Sequence, residues 1–187
     1  MTKYIALLRG INVGGKNIIK MADLKTAFAQ QGFQNVITYI NSGNVLFTSD
    51  LKETTVRSAC ERLISETFSI SIPVNIISAA DLNDALSHAP DWWGSATDSR
   101  HDAFFVIPPM TAEQVVTRIG QIKEEYESLA YYGRVIFWSA PMATFSRTRV
   151  SKITQDKAMY NAITVRNANT AVKLAELAGK ANDFDPA

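Results

Sequence analysis

Two cations, an amide and three glycines crowd into one stretch, Arg9-Gly10-Ile11-Asn12-Val13-Gly14-Gly15-Lys16. Backbone N–H groups that no bulky side chain blocks, flanked by Arg9 and Lys16, are the chemistry of an anion cradle. The spacing also fits the phosphate-loop pattern G-x-x-x-x-G-K, with Asn17 where that pattern needs a Ser or Thr hydroxyl for Mg²⁺. Two features count against a nucleoside triphosphatase. Asn17-Ile18-Ile19-Lys20 separates Lys16 from the first helical spacing, at Met21, Leu24 and Phe28. No later apolar strand ends in an Asp placed to anchor Mg²⁺. The plain alternative is that the glycines only let the chain turn tightly over a sheet edge.

A second anion-friendly set lies at Thr164-Val165-Arg166-Asn167-Ala168-Asn169-Thr170. It reads as a strand end, an asparagine-rich cap and a helix start, where free N–H groups beside Arg166 favour phosphate or carboxylate. Ordinary capping by Asn167 or Asn169 explains it equally. A third run, Ser146-Arg147-Thr148-Arg149-Val150-Ser151-Lys152, holds three cations and also reads as a solvated loop. Arg9 and Arg166 each end a strand, and Asn44 begins one. If the two halves of the chain pack side by side, these positions converge.

Other catalytic sets are thin. His88 and His101 are not at metal-ligand spacing with Cys60 or any carboxylate pair, so no metal site is expected. No serine sits in a G-x-S-x-G elbow, although a Ser-His-Asp set stays open. Cys60 shares a helical apolar face with Val56, Leu63 and Ile64 and reads as a buried structural thiol. No cofactor fingerprint is present, and the cofactor is left unknown.

The elements that position these residues come in a fixed order. Tyr4 to Leu8 is a buried strand. Met21 to Gln31 is a helix stopped by Gly32. Val36–Ile40 and Val45–Thr48 flank the turn Asn41-Ser42-Gly43-Asn44. Asp50 can cap a helix through Phe68. Ile72–Ile77 is an edge strand, given Pro73. This is the ferredoxin-like βαββαβ order.

Ser78 to Asp81 opens a short helix through Leu86, and residues 88–100, with Trp92 and Trp93, form a linker or flap. The two tryptophans plug a gap or wall a ligand pocket. The order then repeats: a strand His101–Ile107, a helix from a Thr111/Gln114 capping box to Ile122, and a hairpin Glu127–Tyr132/Arg134–Ser139. A helix Val150–Tyr160 and a closing strand Ala162–Val165 complete it. A final helix runs from Thr170 to Ala178, and the tail Asn182–Ala187 is expected to fray. The expected fold class is α+β, two ferredoxin-like halves packed together with a C-terminal helix. Residues 1–79 form the first half, 80–100 the connection, and 101–187 the second half with the last helix.

The 187-residue chain carries a net charge of +1, which argues against a nucleic-acid binder held by a global basic field. RNA binding survives as an alternative on the fold and on Phe104, Phe105, Phe137 and Trp138. The one cysteine excludes an internal disulfide. No signal peptide or run of the ~20 apolar residues that span a bilayer is seen. The expectation is a cytoplasmic protein without a membrane partner, of open oligomeric state.

Leu7-Leu8-Arg9-Gly10-Ile11-Asn12-Val13-Gly14-Gly15, Met21-Ala22-Asp23-Leu24, Tyr39-Ile40-Asn41-Ser42-Gly43-Asn44-Val45 and Thr164-Val165-Arg166-Asn167 together resemble the bacterial domain of unknown function 1697 family. The resemblance spans nearly the whole chain, more loosely over residues 80–130. It implies a cytoplasmic α+β protein with ferredoxin-like halves and supplies no catalytic residues.

The leading expectation is a small anionic or phosphorylated ligand. Its site would use Arg9, Asn12, Gly14, Gly15, Lys16, Asn44, Arg166 and Asn167. The arginines neutralise charge, the glycines admit close backbone approach, and the asparagines orient the ligand. The alternatives are phosphoryl or acyl chemistry at that site, and a non-catalytic RNA- or protein-binding module.

Overall fold

The computed structural model describes residues 1–180, except for the side chains of Thr154 and Gln155. The tail expected to fray, Asn182–Ala187, lies outside the described residues. Among the described residues eight strands form two four-stranded sheets, ordered β2-β3-β1-β4 and β6-β7-β5-β8. Every paired neighbour is antiparallel. The chain divides into two compact units. One holds residues 1–82 and 173–180, and the other holds residues 83–172. No helix among the described residues is long and apolar enough to cross a membrane.

In the first unit β1 (Thr2–Leu8) is central, between β3 (Asn44–Ser49) and β4 (Val74–Ser78). The hairpin partner β2 (Gln34–Tyr39) lies at one edge and β4 at the other. Period-two alternation puts Tyr4, Ala6 and Leu8 on one face with Val45, Phe47, Val74 and Ile76. Helices α1 (Met21–Gln30) and α2 (Glu53–Phe68) cover that face with Leu24, Phe28, Val56, Cys60 and Ile64.

Gly32 ends α1 as the sequence leads one to expect. Its N–H donates to Ala29 O at 3.0 Å, and Phe33 N–H donates back to Phe28 O at 3.3 Å. The rings of Phe28 and Phe33 then meet at 5.7 Å, the apolar contact that accompanies this helix stop. Asp50 does not cap α2. The cap position is Lys52, without a side-chain bond, and Asp50 instead pairs with the Met1 ammonium at 3.2 Å. The carboxylate sits too far upstream of Glu53 to reach the first free N–H groups.

Cys60 is fully buried, and desolvation, with a smaller push from Glu61, raises its thiol far above the ordinary range. A disulfide reagent such as Ellman's is expected to leave Cys60 untouched in the native protein and to titrate one thiol per chain in denaturant. Rapid native labelling would show that α2 opens.

In the second unit β5 (Ser99–Val106) is central, between β7 (Val135–Pro141) and β8 (Ile163–Asn167). The strand β6 (Ser128–Tyr132) is an edge. One sheet face packs Phe104, Val106, Ile136 and Trp138 against α4 (Ala112–Ile119). Thr111 and Gln114 close the expected capping box on that helix.

The expected single helix Val150–Tyr160 is two pieces, a 3₁₀ turn Val150–Gln155 and a short α5 (Lys157–Asn161). Asp156 divides them. It leaves helical geometry at ψ 99°, and its Oδ1 accepts from the N–H groups of Ala158 and Met159, both at 3.1 Å. An Asp that caps one helix cannot lie inside the preceding one.

Between the sheets in sequence runs α3 (Ala79–Ser87), opened by Ser78 and Asp81. The last helix, α6, spans Ala168–Gly179 and starts two residues before the expected Thr170. Lys3 Nζ ties its end to the first unit, donating to Ala178 O at 3.2 Å and Lys180 O at 2.6 Å.

Candidate functional site

Arg9 follows β1 directly and is half-buried. Past the buried Ile11 the loop closes on itself, with Val13 bridging Lys16 and Lys16 N–H donating to Val13 O at 3.1 Å. Gly14 (φ 58°) and Gly15 (φ 73°) are both left-handed, the pattern of a type I′ turn. A Cβ at either would meet nothing within 4 Å. The glycines are therefore explained by turn handedness and not by crowding.

Asn12 (φ 54°) is used up inside the loop. Its Nδ2 donates to Ile19 O at 2.9 Å and Asn41 O at 2.8 Å, while its Oδ1 accepts from Ile19 N–H at 2.8 Å. Asn17 Nδ2 likewise donates to Gly10 O at 3.0 Å. Helix α1 begins only at Met21, so Gly14-Gly15-Lys16 does not open a helix as a phosphate loop does. Asn44 is buried at the start of β3, where its Nδ2 holds the hairpin through Tyr39 O at 2.9 Å and Ser42 Oγ at 3.0 Å.

Arg166 lies within β8, opposite Ala103, and is buried. Its Nη1 donates to Thr164 Oγ1 at 3.0 Å and Val165 O at 2.8 Å. Burial pushes its guanidinium down to about 10, which leaves it charged at neutral pH. Asn167 Oδ1 accepts Thr170 N–H at 2.8 Å and so performs the capping role. Arg9, Asn12, Gly14, Gly15, Lys16 and Asn44 belong to the first unit, Arg166 and Asn167 to the second.

The second unit holds a cleft of about 670 Å³ that sequence spacing alone does not reveal. Arg118 from α4, Arg149 just before the 3₁₀ turn, Lys152 within it and Lys157 from α5 line it, with Asp156 as its one carboxylate among the described residues. Four cations against one anion leave a local charge of +3, against +1 for the whole chain. Arg118 grips Asp156 through Nε at 2.7 Å and Nη2 at 3.1 Å. Capping bonds from Met159 and Ala158, together with Arg118, hold that carboxyl below its ordinary range. Arg149 is anchored by Nε to Ile119 O at 2.9 Å. Its terminal nitrogens, and the ammonium groups of Lys152 and Lys157, have no protein partner among the described residues.

The local signal was the run Ser146–Lys152, which contains two of the four cations. Arg118 is 38 residues from its partner Asp156, so its arrival depends on tertiary packing.

Glu127 sets the cleft's back wall in place. It is buried and accepts from Lys123 N–H (3.4 Å), Val150 N–H (3.2 Å), Trp138 Nε1–H (2.9 Å) and the Arg149 N–H. The aromatics that offered an RNA platform, Phe104, Phe105, Phe137 and Trp138, are all buried. Trp93 docks on Phe137 at 5.0 Å and donates Nε1–H to Asp102 O, while Trp92 lines a smaller cleft.

A family model described as a protein of unknown function, DUF1697, matches residues 1–137. A solved structure, that of a conserved bacterial protein from Streptococcus pneumoniae, is similar at 30% identity and TM-score 0.87. That similarity covers 96% of this chain and 99% of the other. No curated protein matches. With a family model matching well over half of its length, and a solved structure similar over nearly all of it, the chain belongs to the DUF1697 family.

Proposed function

We propose that each unit is a ferredoxin-like half and that the second binds a small anionic, phosphate-bearing ligand in its basic cleft. Support for the first part is the strand order, two outer and two central strands per sheet with all neighbours antiparallel. The observation that carries the second is the convergence of Arg118, Arg149, Lys152 and Lys157 on one cavity. Like charges gathered in a concave, low-dielectric wall repel one another and focus positive potential, and a bound anion relieves both. Arg149 supplies a planar fork suited to two phosphate oxygens. Lys152 and Lys157 add point charges, and Asp156 holds Arg118 in place.

The Arg9–Lys16 loop of the first unit is the second reading. Its support is the exposed tip formed by Gly14, Gly15 and Lys16.

A thermal-shift screen against phosphate, sulfate, nucleotides, sugar phosphates and carboxylates tests both. A ligand at ~100 times its Kd adds about 2.7 kcal/mol, several degrees in Tm. The shift is expected in wild type, to weaken with salt, and to vanish in a folded Lys152→Ala/Lys157→Ala variant while surviving Lys16→Ala. The reverse pattern moves the site to the glycine loop, and no shift with any compound removes both.

A further inference from the structure

A second cleft in the same unit carries different chemistry. It encloses about 260 Å³, and its lining includes Trp92, Tyr126, Ser128, His101 and Ser139. The strand register places Ser128, Ser139 and His101 directly opposite one another across β6, β7 and β5. They therefore form one row on a single sheet face, with adjacent Cβ atoms about 5 Å apart.

His101 Nε2 is 2.8 Å from Ala96 O. A carbonyl only accepts, so Nε2 carries the proton and a neutral ring keeps Nδ1 as its acceptor. That Nδ1 faces Ser139 Oγ in a hydrogen bond, which the serine hydroxyl donates. This is the arrangement of a nucleophile, its base and a third group that fixes the base's tautomer. The Ser128 hydroxyl, beside Ser139 and half-buried, has no protein partner among the described residues.

We propose that Ser139 and His101 form a nucleophile–base pair that hydrolyses small uncharged or cationic carboxylic esters, with Ser128 donating to the developing oxyanion. Ser139 Oγ attacks the ester carbonyl and its proton passes to His101 Nδ1. The carbonyl carbon–alkoxy bond breaks, and the alcohol leaves with that proton. Water then gives a proton to Nδ1 as its oxygen bonds the acyl carbon. The Ser139 ester bond breaks, Oγ takes the proton back, and the carboxylic acid departs. Among the described residues Glu124 and Glu125 line the cleft and no lysine or arginine does, while Arg147 and Lys123 lie over the Tyr126 ring at 5.5 and 5.9 Å; the lining carboxylates disfavour anionic substrates. This site is separate from the basic cleft and does not depend on it.

The test uses the full chain, a fluorophosphonate probe with peptide mapping, and p-nitrophenyl acetate turnover. The expected result is one adduct per chain, on Ser139, and an equimolar burst of p-nitrophenol. Ser139→Ala, a small change, abolishes both. His101→Gln lowers both at least 100-fold. Ser128→Ala lowers kcat by about 100-fold while leaving KM near its wild-type value. Circular dichroism and melting confirm that each variant is folded. A folded wild type that gives no Ser139 adduct under reagent excess overturns the proposal, as does unchanged turnover in Ser139→Ala. In either case His101 only pins Ala96 to the sheet, with Ser139 holding its ring.

Discussion

Gly43→Ala is expected to destabilise the first unit by about 2–5 kcal/mol, read as a fall in the urea midpoint at unchanged slope. Gly43 has φ 77°, and a Cβ there would lie 2.7 Å from Ile11 Cδ1 and 2.8 Å from Leu8 Cβ. Two costs combine. A left-handed conformation in a residue with a Cβ costs roughly 1–2 kcal/mol. Forcing an atom into a filled core costs about 1–3 kcal/mol more, because close-packed side chains leave no room to retreat. The Leu8 contact cannot be relieved by a rotamer change, since that Cβ is fixed to the backbone of β1. Moving either chain would also strain the bond from Leu8 N–H to Gly43 O, now 2.8 Å. Gly15→Ala is the matched control. It has the same sign of φ but open space, so it should lose only the conformational part, about 1–2 kcal/mol. Equal losses at the two positions would show that Gly43 is not crowded.

Glu127→Ala is expected to cost the second unit about 3–5 kcal/mol, with its largest local effect far from the mutation in sequence. The carboxylate gathers four N–H donors from three places in the chain, the 123 turn, β7 and the 3₁₀ segment. Removing it leaves those donors without an acceptor, and each buried unsatisfied donor costs about 1–3 kcal/mol before relaxation or water entry. Glu127→Gln keeps the shape but turns an NH₂ toward groups that can only donate, so little recovery is expected. Hydrogen exchange should then speed up first at the amides of Arg149 and Val150. Unchanged protection there would mean that the carboxylate does not hold the segment. Arg149 lines the basic cleft, so the same substitution should also weaken any anion bound there.

Much of the chain order is legible in the sequence. The helix stop at Gly32, the hairpin around Gly133 and the Thr111/Gln114 box depend on contacts within a few residues. The Asn41–Asn44 turn is equally local. Local signals mislead where two of them compete. Asp50 and Asp156 are both good caps by type. Only Asp156 caps the nearby helix, and it does so in the middle of a stretch whose apolar spacing read as one continuous helix.

The sequence by itself determined the order of the strands, the tight turning of the glycine loop and the family. Backbone handedness, short-range capping and motif identity are properties of neighbouring residues. Tertiary structure alone decided which distant polar and charged groups meet. Arg118 meets Asp156 across 38 residues, and Ser139 meets His101 across the same separation. Those meetings follow from strand register and from helix packing on the sheet. A slip of one residue in the β5–β7 pairing would turn His101 to the opposite face from Ser139, and no local pattern reports that register.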